Sequence, residues 1–135
     1  MAIQMGDTLR NNRANQTEST AGTSAILEIR SGSPPATCAT ADSGTLLASM
    51  TLPVDWLTAA SGGAVSQSGT WEDLLANNAG TAGHFRLKNS AGSVCHMQGT
   101  VTATGGGGDM TVDNTSIALN QVVRVTSFTL TEGGA

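Results

Sequence analysis

The feature that most constrains the fold is a long alternation of apolar and polar residues. Residues 84–130 read HFRLKNSAGSVCHMQGTVTATGGGGDMTVDNTSIALNQVVRVTSFTL, with turn residues between the alternating runs and four consecutive glycines at 105–108. A strand buried on one face sends every second side chain to the core, so this pattern predicts packed β-structure. Phe85 and Leu87 alternate with His84, Arg86 and Lys88, and the turn NSAG follows. Beyond it, Cys95, Met97 and Val101 fall on one face and His96, Gln98, Thr100 and Thr102 on the other. The spacing predicts a β-hairpin. In the last run, residues 121–131, Val123 and Val125 share one face, whereas Phe128 and Leu130 share the opposite one. Because the period is two, either a bulge near Thr126 and Ser127 shifts the register or both faces are buried, the second option setting another subunit against the strand.

Upstream, residues 25–30 (AILEIR) predict a strand whose Glu28 and Arg30 face away from Leu27 and Ile29. It ends at SGSPPATCATADSG, where Pro34 and Pro35 remove backbone donors and fix φ, so a loop carrying Cys38 is expected. Residues 45–52 predict a second strand with Leu46, Ala48, Met50 and Leu52 on one face, closed by Pro53. Trp56 is assigned to the core, on a helical turn capped by Asp55 or on a turn that plants it over a sheet edge. Residues 64–76 are read as a strand through Trp71, with a short helix from Thr70 as the competing reading. Residues 1–22 are polar, with Met5 and Leu9 at i, i+4 spacing, and predict an N-terminal arm or short helix that needs a neighbour to order it. The expected architecture is all-β: a single-domain antiparallel β-sandwich, jelly-roll-like, over residues 23–135, preceded by that arm.

A chain of 135 residues fits one domain that buries roughly two-thirds of its unfolded surface. Seventeen glycines, many Ala, Ser and Thr, two Phe, two Trp and no Tyr suit strands and loops. Lys88 is the only lysine, and the net charge is -4, which excludes the dense basic patch that nucleic-acid binding requires. No apolar run reaches signal-peptide or membrane-spanning length, so a soluble chain that makes no membrane contact and stays where it is synthesised is expected. The N-x-[ST] triplets at Asn15 and Asn114 then carry no glycosylation message. Cys38 and Cys95 are expected as thiols in a reducing cytoplasm, with oxidation after release from the cell as the alternative.

No constellation carries chemistry. The run Gly105 to Gly108 is followed by Asp109 where a phosphate loop needs Lys and Ser or Thr, so a flexible connection between strands is the better reading. His84, His96 and Cys95 do not make a metal site: the alternation sets Cys95 opposite His96, and a site needs three or four convergent ligands. Surface histidines bonded to neighbours across the hairpin are expected instead. Asp109, Asp113 and Asn114 miss the spacing of an EF-hand and read as a solvated turn. No G-x-S-x-G elbow accompanies the serines, and sugar-holding aromatics are scarce. The chain is therefore expected to be no enzyme and to need no cofactor.

At GTAGHFRLKNSAGSVCHMQGTVTATGGGGDMTVDNTSI and VTSFTLTEGG, together with MAIQ…LRNNR, LEIRSGSPPATC and ADSGTLLASMTLPVDW, the chain resembles a family of small proteins encoded among the structural genes of tailed bacteriophages. The resemblance spans nearly the whole sequence and implies a virion component, made in the host bacterial cytoplasm, with no catalytic residues. A capsid decoration or cement protein is the leading expectation, with a tail, neck or fibre component, receptor-binding in one version, as the alternative. The partners implied are other virion proteins, the major capsid protein or tail and neck proteins, and further copies in a homo-oligomer. Met5 and Leu9 of the arm, with Val123, Val125, Phe128 and Leu130 of the last strand, are the candidate interface residues.

Overall fold

A computed structural model describes residues 3–134. It is mostly β with one helix, α1 (Asp7–Ala21), and nine strands: β1 (Ile26–Ser31), β2 (Leu46–Thr51), β3 (Ala64–Ser66), β4 (Glu72–Asp73), β5 (Gly80–Lys88), β6 (Cys95–Ala103), β7 (Met110–Val112), β8 (Ser116–Ile117) and β9 (Val123–Thr131). The strands join in one curled, half-barrel sheet in the order β2-β1-β5-β6-β7-β9-β3, with β4 added to β9 and β8 to β5. The expected hairpin is β5–β6, and the expected strand through Trp71 exists as two short pieces, β3 and β4, separated by a turn in which Gly69 has φ 73.

The sheet is mixed, which departs from the expected antiparallel sandwich: β6 and β7 pair in parallel, Val101 opposite Met110 and Ala103 opposite Val112. Parallel neighbours ordinarily need a crossover of a dozen or more residues. Here the glycine run folds the chain back within residues 104–109. Gly105 and Gly107 have φ of 84 and 81, and a Cβ on Gly106 or Gly108 would lie 2.7 or 2.8 Å from the Thr102 side chain. The glycines are thus required by a tight return, fixed by hydrogen bonds from Gly108 N–H to Thr102 Oγ1 and from Asp109 N–H to Thr100 Oγ1.

One face of the sheet carries the apolar core. Leu27 and Ile29 of β1 sit beside Leu87 and Phe85 of β5, and Met110 of β7 sits beside Phe128 of β9. All four aromatic residues meet there. Trp56 and Trp71 lie 5.9 Å apart between centroids, Trp71 and Phe128 5.7 Å, and Phe85 packs edge-on against Phe128 at 5.8 Å. Such pairs add to the large area each ring buries. Trp56 is planted there by an extended turn rather than by a helix.

Bulges decide which side chains reach this core. Thr111 pairs with Ser127 and Val112 with Val125, leaving Thr126 as the extra residue of β9. The phase change in the last strand is therefore a bulge: Val123, Val125 and Phe128 all enter the core of this one chain. A second bulge admits Leu47 of β2 beside Ala48 and Met50, a side chain that simple alternation sets on the other face. A third lies at His96, because Leu87 pairs with Met97 and Lys88 with Cys95. It moves Cys95 to the face opposite Met97, correcting the assignment of both to one side.

Both sheet edges are occupied. Helix α1 lies along the β3 end, and its inward side is polar: Asn11, Asn15 and Glu18, at i, i+4, i+7, accept the backbone N–H groups of Gly63, Ala60 and Leu57. Arg10 reaches across to the Glu132 carbonyl. A 15-residue helix of this composition has little stability alone, and these tertiary bonds with buried Ala14 and Ala21 fix it. At the other edge, Asp73 accepts from Ser49 N–H, and Asn77 N–H and Asn78 Nδ2–H donate to the carbonyls of Leu47 and Leu46. An edge so covered offers no template for adding another strand.

Candidate functional site

The second face of β5 is covered as fully as the first. His84, Arg86 and Lys88 are buried under residues 32–42, which cross the sheet as a strap. The strap begins where Pro34 and Pro35 leave no N–H to satisfy, so it presents carbonyls downward to donors. His84 Nδ1–H donates to Gly32 O at 2.9 Å, Gln98 Nε2–H to Pro35 O at 2.7 Å, and Arg86 to Cys38 O at 2.7 Å and Thr40 O at 3.0 Å. Gly83 lets the strap lie flat, since a Cβ there would collide with the Gly32 carbonyl. The expected surface position of His84 is corrected accordingly: a charged or polar residue at every second place means only that the second face is polar, and here a loop covers it. His96 is exposed.

Cys38 and Cys95 form a disulfide, with Cα atoms 5.3 Å apart, which corrects the expectation of thiols. The bulge at His96 makes the pairing possible by turning Cys95 toward the strap.

Beneath the strap lies an ion cluster. Asp42 meets Arg30 at 3.2 Å, Arg86 at 3.2 Å and Lys88 at 2.6 Å, while Glu28 meets Arg30 at 2.9 Å and Lys88 at 3.0 Å. Three cations face two carboxylates, and the Cys38 and Thr40 carbonyls bonded to Arg86 offset the excess. Burial alone pushes the Asp42 carboxyl up. The Lys88 hydrogen bond and the charges of Arg30, Lys88 and Arg86 outweigh it and hold the group below the ordinary carboxylate value. Removing one partner of such a cluster is costly, because a buried charge is then left uncompensated.

A cleft of about 330 Å³ opens beside this cluster, lined by Arg86, Lys88, Asp42 and the disulfide. Its charged groups are engaged with one another, and it pairs no nucleophile with a base. A second cleft, of about 350 Å³, lies between α1 and the sheet, where Arg13, His96 and Leu130 line it. Among the described residues, no three His, Cys, Asp or Glu side chains converge on a point that could hold a metal ion, and no helix is long and apolar enough to cross a membrane.

Of the six candidate interface residues, Val123, Val125 and Phe128 are buried within the chain, so a partner would have to open the core to touch them. Leu130 is half-buried, and Met5 is tied to the C-terminal end by its N–H bond to Gly134 O. Leu9 stands 52% exposed on α1.

Sequence reasoning missed a different apolar group. Leu74, Leu75, Leu119 and Val122 are 62, 66, 59 and 41% exposed. Asp73 pairs with Val123, Ala76 N–H donates to Gln121 O and Asn120 N–H to Ala76 O, so the two segments run side by side and bring all four residues to one end of the molecule. The signal was the Leu-Leu pair after Asp73, which the strand-or-helix ambiguity of residues 64–76 concealed. No family model, no curated protein and no solved structure matches the chain.

Proposed function

We propose that this protein is a non-enzymatic structural component of a tailed-phage virion, a decoration or cement protein that attaches to the capsid exterior and works by burying surface against neighbouring subunits. The observation that carries the reading is the exposed apolar end formed by Leu74, Leu75, Leu119 and Val122. Four large apolar side chains gathered at one place on the surface suit a protein–protein contact. The scaffold beneath is stiffened by a disulfide and an ion cluster, and its covered sheet edges favour docking through side chains over strand addition.

The resemblance to phage structural proteins supplies the virion context. Both tryptophans are buried, which counts against a glycan-binding receptor face, because such faces use exposed aromatic rings. Negative-stain microscopy of particles lacking the protein tests the cement role. Capsids that rupture more readily under osmotic or thermal stress are the expected result; equally robust capsids with a missing tail feature would reject it.

A further inference from the structure

We propose that the strap encloses one tightly held water molecule, bound by His84 Nε2, Arg86 Nε–H and Gln98 Oε1. Among the described residues, these three are the buried side-chain nitrogen and oxygen atoms that meet no protein hydrogen-bond partner. They are neighbours. Arg86 and Gln98 are directly paired across β5 and β6, and His84 lies two residues along β5 on the same face, all three under the strap. Directly opposed residues place their Cβ atoms about 5 Å apart and diagonal ones about 7 Å, a spacing that lets one water reach all three side chains.

The hydrogen-bond roles are fixed by the partners the three side chains do have. A carbonyl oxygen only accepts, so Gly32 O puts a proton on Nδ1, and in the neutral imidazole Nε2 is then a lone pair. In the same way Pro35 O fixes the Gln98 amide with its nitrogen outward and Oε1 left over as an acceptor. Arg86 Nε–H is a donor. The space therefore offers one donor and two acceptors. An anion would meet the lone pairs of His84 and Gln98, and a cation would meet Arg86 with Arg30 and Lys88 close by. Water alone at that size accepts one bond and donates two, and three polar partners is the usual coordination of a buried water. Burying the three groups without it would leave each desolvated and without a partner, which is destabilising. The water also links the side chains that hold Gly32, Pro35 and Cys38, so strap and sheet become one network.

Two measurements on the full oxidised chain decide this. In a crystal structure at atomic resolution, one solvent peak is expected within about 3.2 Å of all three atoms. A dry space, or the three groups bonded to one another, overturns the proposal. In ¹⁵N spectra, His84 is expected with its proton on Nδ1 and the Arg86 Nε–H with a cross-peak to a long-lived water. A proton on His84 Nε2, or an Arg86 Nε–H that shows no water cross-peak, overturns it.

Discussion

The disulfide gives the most quantitative test of how the strap is held. Cys38 and Cys95 are 57 residues apart in sequence, and the bond joins the strap to the start of β6. Closing a loop of that length removes unfolded-state entropy worth about 4 kcal/mol at 25 °C in the chain-entropy account. Unfolding entropy near 60 °C is about 2.1 cal/mol/K per residue, which for 135 residues converts 4 kcal/mol to a shift in Tm of roughly 15 °C. The assay compares thermal denaturation of the oxidised protein, the same protein with a thiol reductant, and the Cys38→Ser/Cys95→Ser variant. The two forms lacking the bond are expected to melt together, roughly 10–15 °C below the oxidised one. The hydrogen bonds from His84, Arg86 and Gln98 should keep the variant folded. A difference below roughly 3 °C would refute the reasoning, since the bond would then constrain little that the side-chain props do not.

Three further predictions concern Asp42, Glu18 and the exposed apolar end. Asp42 has a carboxyl held below its ordinary value, so the unfolded chain binds the proton more readily; the stability it contributes is present above about pH 4 and is lost as pH falls through the lowered folded value. Asp42→Asn should lower Tm at pH 7 and flatten the acid limb of the Tm–pH curve; an unchanged acid limb would contradict the assignment. Glu18→Ala strips the acceptor from the buried Leu57 N–H and should cost about 1–3 kcal/mol in urea denaturation, whereas Asn12→Ala, on the exposed side of the same helix, should stay within about 0.5 kcal/mol. Leu74→Asp combined with Leu119→Asp should leave the melting temperature of the isolated protein nearly unchanged, while removing it from purified particles by quantitative immunoblot; retention on the particle would exclude that end as the attachment surface.

What could be read from the sequence was set by period-two alternation. It revealed β1, β2, the β5–β6 hairpin and the misfit at Thr126 and Ser127, because each depends on neighbours within one strand. It did not reveal the face of Cys95, since a one-residue bulge at His96 inverts everything beyond it. Nor did it tell that His84, Arg86 and Lys88 are buried, because alternation separates two faces without saying what covers the second. The parallel β6–β7 pair was hidden by the rule that short connections join antiparallel strands, which the glycines at 105–108 circumvent. Helix α1 was expected only as an arm or short helix, since its docked side is built from Asn11, Asn15 and Glu18 and leaves little apolar periodicity to read. The exposed end, too, joins segments more than forty residues apart, a proximity that only the β4–β9 pairing creates.

The measurement closest to the central claim is a cryo-electron reconstruction of the intact particle. It is expected to contain this chain in many symmetric copies on the capsid exterior, with Leu74, Leu75, Leu119 and Val122 covered by a neighbouring subunit. Purified particles without the chain, or with it present while that end faces solvent, would contradict the account.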